Sequence, residues 1–369
     1  MSEPQKLRVG IIGAGEVAQV IHLPVLSLLF HLYSVTIICD ISAKNASHCA
    51  AKFHIPKSTT SAADVYTSPD VDIVFILTSD EFHAEYAIAA LKARKHVMVE
   101  KPISLSMQSA KRIIEAEKEA GGPRVFVGYM RRYAPSFVQA FTREVATIPR
   151  VLYARSRDFS GPNAQFVSQS GTFQVQSTDF PPGASEERTK RLDDLFAEAF
   201  EGREVTLEKK RYCRFLGSLG SHDISLLRET LGFPESVAGV SANEPFYSAI
   251  FNYKNKSGEP FAVTYESGID GVPNFDAHLA VYGENKRVQI QYPSPYVKGL
   301  PIIVKVDELN ENDETQTREI LSSYEDAYTA ELKELHACIT QGKTIKTSAV
   351  DALEDLTIYD MMYKKYEGI

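Results

Sequence analysis

Short apolar runs alternate with segments of helical spacing over the first 130 residues of the chain. The runs "RVGIIGAG", "VTIICD", "VDIVFILTS" and "KHVMVE" are almost continuously hydrophobic, which is typical of strands buried on both faces of a parallel sheet. Between them, "SAKNASHCAAKF", "EFHAEYAIAALKAR" and "SMQSAKRIIEAEKEAGG" have the spacing of helices with one apolar face. This alternation predicts a parallel sheet with crossover helices.

The pattern changes after about residue 125 to strands in which apolar and polar residues alternate. Examples are "RVLYARSRDF", "AIFNYKNKSGEPFAVTYESG" and "AHLAVYGENKRVQIQY". Such alternation predicts a mostly antiparallel sheet with one buried face. We therefore expect an α/β domain at 1–125 and an α+β domain with a large open sheet at 126–369. Two C-terminal helices within 323–366 are expected to pack back near the domain junction.

Segment 159–210 interrupts the strands of the second half. It is rich in Gly, Ser, Pro and Gln and then contains "SEERTKRLDDLFAEAF", which predicts one amphipathic helix. The segment is interpreted either as a lid or subunit contact or as a surface excursion, with equal weight.

Composition narrows the class of protein. The chain has 369 residues, 44% hydrophobic and 24% charged, with a formal charge of −8. This balance argues against nucleic acid as a partner. No run of eighteen apolar residues predicts a membrane span, and we expect a cytoplasmic protein. The scattered cysteines lack zinc-site spacing, so no metal is implied.

The first apolar run ends in a loop that is typical of dinucleotide binding. It reads Gly13-Ala14-Gly15-Glu16-Val17-Ala18, a G-x-G-x-x-A sequence that follows a strand and opens a helix. The first glycine allows a tight turn, the second allows the backbone to approach a pyrophosphate, and the alanine allows close helix packing. Free N–H groups and the helix dipole then favour the diphosphate.

Asp40 closes the second predicted strand, where a carboxylate can accept hydrogen bonds from the adenosine ribose. Ile41 and Ser42 follow it, and no arginine is present there to bind a 2′-phosphate. The pattern favours NAD, although Lys44 leaves NADP open. Asp40 also fits a helix N-cap or turn residue.

Lys101 follows the predicted strand "KHVMVE" and precedes Pro102. Ligands bind at the carboxyl ends of strands in open α/β sheets. A proline disfavours helix at the preceding residue, so we expect an extended Lys101 that projects into a cleft. An ordinary strand exit into solvent is the alternative.

Several motifs together resemble the Gfo/Idh/MocA family of oxidoreductases. They are the Gly13 to Ala18 loop, the turn from Thr78 to His83, Glu100-Lys101-Pro102, "GYMRRYAP", "GSHDISLL", "GENKRVQI" and "GKTIKTSAVDAL". The resemblance implies a Rossmann domain followed by an open-sheet domain that is often used for oligomerisation. It also implies hydride transfer between a nicotinamide and a carbon bearing a hydroxyl or carbonyl group, commonly on a sugar or polyol.

By position in these motifs, the resemblance implies that Lys101 touches the reacting oxygen and that His222 is the catalytic histidine. It also implies cofactor contacts at Thr78, His83, Glu100 and Lys101. An imidazole suits proton transfer near neutral pH, whereas an ammonium suits stabilisation of a developing alkoxide. We expect His222 to be the general acid/base, and the alternative is a structural histidine beside Asp223.

One position departs from the family pattern. Many relatives carry Asp one helical turn before the histidine, where this chain has Ser218. A serine can hydrogen-bond substrate but cannot raise the basicity of the histidine by charge. Further candidate substrate contacts are Arg132 and Tyr133, which lie where relatives approach substrate or cofactor, and Arg157 and Asp158 at the end of a strand expected to face the cleft. For Arg132 a structural ion pair is the alternative. His83 could equally cap a helix.

The leading interpretation is an NAD(P)-dependent dehydrogenase or reductase acting on a carbohydrate-like molecule, assembled as a homodimer or homotetramer. A second is a glycoside-cleaving enzyme that holds its nicotinamide tightly and oxidises its substrate transiently. A third is a dinucleotide-sensing regulator without catalysis. Retention of both Lys101 and His222 argues against the third, because a sensor needs no proton transfer.

Overall fold

The computed structural model describes residues 4–369 and divides the chain into two compact units. Unit 1 comprises residues 1–129, 172–206 and 331–356, of which residues from 4 onward are described. Unit 2 comprises residues 130–171, 207–330 and 357–369. Segments 172–206 and 331–356, which follow the predicted boundary at residue 125, therefore group with the N-terminal sheet.

The elements of the N-terminal part follow the predicted alternation. They are β1 (Leu7–Ile12), α1 (Leu23–Leu28), β2 (Tyr33–Cys39), α2 (Ala43–Lys52), β3 (Lys57–Thr59), α3 (Ala62–Tyr66), β4 (Ile73–Ile76), α4 (His83–Lys92), β5 (His96–Glu100), α5 (Met107–Glu119) and β6 (Val125–Gly128). A π-helical turn, Ala18–His22, precedes α1.

The first sheet is parallel and has six strands in the order β3-β2-β1-β4-β5-β6. Every residue of β4 and β6 is buried, as expected for strands covered on both faces. Ser42 and Ser106 cap α2 and α5 by accepting hydrogen bonds from Asn45 N–H and Ser109 N–H, each at 3.0 Å. The predicted Rossmann sheet is confirmed.

The remaining elements follow in chain order. The helices are α6 (Thr142–Ala146), α7 (Asn163–Ser168), α8 (Ala184–Ala199), α9 (Leu207–Phe215), α10 (Ser221–Leu231), α11 (Ala327–Gln341) and α12 (Ala349–Glu367). The strands are β7 (Val151–Ser160), β8 (Ser236–Asn243), β9 (Phe246–Lys254), β10 (Pro260–Ile269), β11 (Asp276–Gly283), β12 (Lys286–Tyr292), β13 (Ile303–Leu309) and β14 (Thr315–Ile320).

The second sheet has eight strands in the order β14-β13-β12-β11-β7-β10-β9-β8. All neighbouring pairs are antiparallel except β7 and β10, which are parallel. Alternate residues of β7, from Ala154 to Ser160, are buried, so one face of the sheet carries the core. The predicted, mostly antiparallel open sheet is confirmed.

The four cysteines are all buried thiols, and no disulfide forms within residues 4–369. Over the same residues no helix is both long and apolar enough to cross a membrane.

Candidate active site

The glycine loop after β1 has the geometry that its sequence predicts. Gly13 has φ +103°, and a side-chain carbon there would lie 2.6 Å from the Leu77 carbonyl group, so only glycine fits. The Gly13 N–H donates to the Cys39 carbonyl oxygen at 2.8 Å, which ties the loop to the end of β2. A side-chain carbon at Gly15 would have no neighbour within 4 Å. The backbone at Gly15 is thus open to a ligand.

A cavity of about 380 Å³ lies beside this loop in unit 1. Its lining combines the glycine loop with the ends of β2 and β4 and the start of α4, and consists of Ile12, Gly13, Gly15, Cys39, Asp40, Ile41, Thr60, Ala62, Leu77, Thr78, Ser79, Phe82 and Tyr86. The Thr78 hydroxyl is buried and has no hydrogen-bond partner among residues 4–369. The cavity therefore offers apolar walls with a few polar groups, the usual character of a small-molecule pocket.

Asp40 joins the glycine loop to the start of α2. Its carboxylate accepts from Ala14 N–H at 2.7 Å and from Ser42 N–H at 2.8 Å. These contacts fix the carboxylate at the rim of the cavity. An open backbone at Gly15, an anchored Asp40 and a cavity between them fit the diphosphate and ribose of a dinucleotide.

Glu16 and Val17 complete the predicted loop and are both partly exposed. The Glu16 carboxylate accepts a hydrogen bond from the Gln174 side chain at 2.8 Å. Glu16 is therefore engaged by segment 172–206, which sequence reasoning assigned to the other domain.

At the end of β5, Glu100 is paired with His22, a residue that sequence reasoning missed. The distance from His22 Nε2 to Glu100 Oε1 is 2.7 Å, and both side chains are buried. Burial favours the neutral acid, but the hydrogen bond and charge of His22 hold the pKa of Glu100 below its ordinary value. The π-helical turn that contains His22 was not predictable, although a histidine within the apolar run "VIHLPVL" was an available signal.

Lys101 follows directly and is half-buried. Its backbone N–H donates to the other Glu100 carboxylate oxygen at 3.2 Å, and its peptide bond to Pro102 is cis. Glu100 thus links His22 to the backbone of Lys101. Both oxygens of the Glu100 carboxylate are thus used in contacts within the protein. Direct contact of Glu100 with a cofactor remains a prediction.

His83 is buried at the start of α4 and connects two loops. One ring nitrogen lies 2.7 Å from the Pro102 carbonyl oxygen and the other lies 3.1 Å from the Thr78 carbonyl oxygen. Because β4 and β5 are neighbours in the sheet, this ring holds together the loops that leave their carboxyl ends. His83 fixes the surroundings of Lys101, and its cofactor contact remains a prediction.

In unit 2, His222 lies in the first turn of α10 and is half-buried. A π-helical turn, Leu216–Gly220, comes immediately before this helix. Single π-helical turns are frequent at functional sites. Ser218 lies in the turn, is exposed, and donates from its hydroxyl to the Phe215 carbonyl oxygen at 3.3 Å.

Beside His222 in sequence, Asp223 belongs to a buried cluster centred on Arg131. Arg131 donates to Asp223 Oδ1 and to Asp158 Oδ2, each at 2.7 Å. Burial, reinforced by the neighbouring Asp158 charge, raises the pKa of Asp223 well above its ordinary value. The cluster therefore anchors the first turn of α10 to β7. The sequence "GYMRRYAP" shows two adjacent arginines, but nothing in it indicates that Arg131 is the one that binds two buried carboxylates.

The other substrate candidates have different surroundings. Arg132 is buried, and its Nε donates to the Glu229 carboxylate. The next residue, Tyr133, is also buried. Arg157 is half-buried and pairs with Glu266 at 3.2 Å and Asp276 at 3.1 Å. Successive strand residues point to opposite faces, so Arg157 and the buried Asp158 do not share a face of β7. Substrate contact by any of them remains a prediction.

Within residues 4–369 no group of three or more His, Cys, Asp or Glu side chains is arranged to hold a metal ion. The structure places the predicted cofactor residues and Lys101 in unit 1, and His222 and the predicted substrate residues in unit 2.

Two segments of the chain match models of one protein family, in agreement with the Rossmann sheet and the glycine loop. Residues 7–129 match the model of the Gfo/Idh/MocA oxidoreductase family described as an NAD-binding Rossmann fold, and residues 206–368 match its C-terminal alpha/beta domain. The chain belongs to the Gfo/Idh/MocA family of oxidoreductases, and residues 7–129 are its NAD-binding Rossmann domain.

Individual relatives are similar over different lengths. Inositol 2-dehydrogenase of Salmonella typhimurium (strain LT2) is 37% identical over 134 residues, which are 36% of this chain and 40% of that protein. The match thus spans less than half of this relative. Myo-inositol 2-dehydrogenase of Thermotoga maritima is 24% identical over 352 residues, 94% of this chain and 92% of that protein.

Solved structures show the same fold. A levoglucosan dehydrogenase in complex with NADH and levoglucosan has a TM-score of 0.72 at 18% identity, covering 99% of this chain and 98% of that one. A 3-ketoreductase from Actinomadura kijaniata in complex with NADP has a TM-score of 0.69 at 16% identity, covering 96% of each chain.

Proposed function

We propose that this protein is an NAD(P)-dependent oxidoreductase that moves hydride between a nicotinamide and a carbinol or carbonyl carbon of a sugar, inositol or related polyol. The observation that carries the proposal is the anchoring of Lys101 at the carboxyl end of β5. Glu100 and His22 hold its backbone on one side, and His83 holds the following peptide on the other. A lysine whose backbone is fixed at this end of a nucleotide-binding sheet is suited to present its ammonium to a ligand oxygen.

The residues of unit 1 divide the binding of a dinucleotide between them. The open backbone of Gly15 and the N–H groups of the loop would hold the diphosphate, and Asp40 would hold the ribose hydroxyls. A bound nicotinamide would supply the hydride acceptor or donor. The cavity beside the loop would exclude water from the adenosine.

Lys101 and His222 have separate roles in the proposed reaction. The Lys101 ammonium donates a hydrogen bond to the reacting oxygen and stabilises negative charge there. His222 accepts the hydroxyl proton during oxidation and returns it during reduction. The Arg131 cluster would fix the first turn of the helix that carries His222.

The proposed substrate class rests on the relatives. Two inositol dehydrogenases and a levoglucosan dehydrogenase act, by name, on polyhydroxylated rings. A ring hydroxyl flanked by further hydroxyls is therefore the chemistry to test first. Assembly as a homodimer or homotetramer is part of the proposal, and analytical ultracentrifugation of the purified protein tests it.

The test is the near-ultraviolet absorbance of reduced nicotinamide, recorded with NAD and then NADP over inositols, levoglucosan, aldoses and uronates. We expect the absorbance to grow with at least one substrate and to stay flat with the His222→Ala variant. A protein that binds NADH but shows no turnover in either direction over the panel would contradict the proposed reaction and favour the internal-redox or sensor interpretation.

A further inference from the structure

Residues 172–180, here called the strap, run across the nucleotide-binding unit without regular secondary structure. The strap is tied to the helix after the glycine loop by a paired contact. Gln19, which is fully buried, donates to the Val175 carbonyl oxygen at 2.8 Å and accepts from the Val175 N–H at 2.8 Å. These two bonds fix the strap above the start of the dinucleotide-binding helix.

The strap is also tied to α2. Ser177 N–H donates to the Asn45 side-chain oxygen at 3.0 Å. At the other end of the helix, Lys52 donates to the Phe173 carbonyl oxygen at 2.6 Å, and its ammonium lies 3.8 Å from the centre of the Phe173 ring. The strap therefore follows α2 along its length and reaches the N-terminus of that helix at Asp179.

Asp179 is bound to the first turn of α2. Its carboxylate accepts from the Ser42 hydroxyl and, at 3.1 Å, from the Lys44 N–H. The Ser42 bond, the Lys44 N–H and the nearby Lys44 charge together lower the pKa of Asp179, so the group is ionised at neutral pH. A carboxylate thus takes a backbone donor at the positive end of this helix.

This position is next to the proposed ribose site. Asp40, which would bind the ribose hydroxyls, accepts from Ser42 N–H, while Asp179 accepts from the hydroxyl of the same serine. A Rossmann domain that binds NADP must accommodate the 2′-phosphate beside the residue that ends the second strand. Here that phosphate would meet the Asp179 carboxylate in place of free N–H donors.

Lys44 is the nearby cation that could have paired with a 2′-phosphate. Its side chain is exposed, and its backbone N–H and its charge both face Asp179. Asp179 therefore offsets the attraction that Lys44 would otherwise exert on a phosphate dianion. Both effects of Asp179, occupation of the donors and its negative charge, act against NADP.

We propose that Asp179, supplied by the strap, is a specificity-determining residue that selects NAD over NADP by excluding the 2′-phosphate from the N-terminus of α2. The proposal deepens the dinucleotide binding on which the proposed function rests. It assigns cofactor choice to segment 172–206 as well as to the end of β2.

The test compares dissociation constants for NADH and NADPH, measured by nicotinamide fluorescence on the full chain. The variant Asp179→Asn keeps an acceptor for Ser42 and removes the charge, and Asp194→Asn, an exposed change in α8 of the same segment, is the matched control. We expect the parent and the control to prefer NADH. Asp179→Asn should lower the ratio of the NADPH constant to the NADH constant about tenfold, with NADH affinity nearly unchanged.

A second measurement keeps the test independent of any change in the strap. If Asp179 masks Lys44, adding Lys44→Ala to Asp179→Asn should remove most of the gained NADPH affinity, whereas Lys44→Ala alone should change little. An unchanged ratio in Asp179→Asn, or a parent that binds NADPH as tightly as NADH, would overturn the proposal while leaving the proposed reaction intact. Binding of neither dinucleotide by the parent would overturn both.

Discussion

In the nucleotide-binding unit, His22 Nε2 lies 2.7 Å from Oε1 of Glu100, the residue that immediately precedes Lys101. The two partners are separated widely in sequence and are both buried. A carboxylate held in this way keeps its charge inside the protein, and it also accepts the Lys101 N–H. The pair therefore couples the stability of the sheet to the position of the proposed catalytic lysine.

Replacement of His22 by Ala should destabilise unit 1 and slow the reaction. Removing the hydrogen-bond partner of a buried carboxylate costs about 3–5 kcal/mol, which urea unfolding would report. Turnover should fall about tenfold because the Lys101 backbone loses an anchored acceptor. His22→Gln, which retains a donor, should recover part of both losses. Equal stability of the Ala variant and the parent would show that the pair contributes little.

Replacement of Lys101 by Ala should lower kcat by about 10²-fold or more while NADH affinity persists. The reason is that the proposed hydrogen bond strengthens as charge develops on the reacting oxygen, so its loss is felt in the transition state. Steady-state kinetics and NADH fluorescence measure the two quantities separately. Lys111→Ala, an exposed change in α5, is the matched control. A kcat equal to that of the control would remove Lys101 from the mechanism.

Replacement of Arg131 by Met should destabilise unit 2 by about 3–5 kcal/mol, because the buried Asp158 and Asp223 lose the cation that both of them bind. Adding Asp223→Asn should recover part of this loss, since the change removes one of the two carboxyl groups that face each other. Urea unfolding of the single and double variants measures the coupling. Strictly additive losses would argue that Arg131 contributes by packing alone.

Glu144 predicts a defined pH dependence of stability. The Arg318 hydrogen bond, with those of Lys286 and Arg143, lowers its pKa from 4.5 to about 2 although the side chain is buried. The depressed pKa stabilises the folded state above pH 4.5, and this contribution is lost as pH falls through the folded value near 2.

Glu144→Gln should therefore be less stable than the parent by about 2 kcal/mol at neutral pH, and the difference should narrow as pH falls below 4.5. Urea midpoints measured from pH 7 to pH 3 test this, with the exposed Glu311→Gln as control. A difference that is constant with pH would mean that the ionised carboxylate is not the source of the stability.

Local pattern was sufficient to predict the elements that carry the proposed site. The last residues of the strands that end at Cys39 and Glu100 are buried on both faces and so appear as apolar runs, and the glycine loop has its own spacing. By contrast, β3 has only three residues, two of them exposed, and leaves no periodic signal. The domain fold was therefore predictable, but this edge strand was not.

The part of the candidate site that the sequence did not predict consists of contacts between residues distant in sequence. His22 with Glu100, Arg131 with Asp158 and Asp223, and Asp179 with Ser42 each join segments separated by at least 27 positions. Such partners share no periodicity, so a single sequence cannot pair them. Cofactor choice shows the effect: the sequence around Asp40 favoured NAD, but the carboxylate of Asp179 could be placed there only by the structure.

The discontinuous nucleotide-binding unit has a consequence for synthesis of the chain. The first sheet is encoded before residue 130, yet its unit also includes 172–206 and 331–356, and Val127 N–H donates to the Thr347 carbonyl oxygen at 2.8 Å. A nascent chain on the ribosome must therefore be made to about residue 356 before this unit can close. During translation the early strands therefore stay without these partners until residues 331–356 have been made.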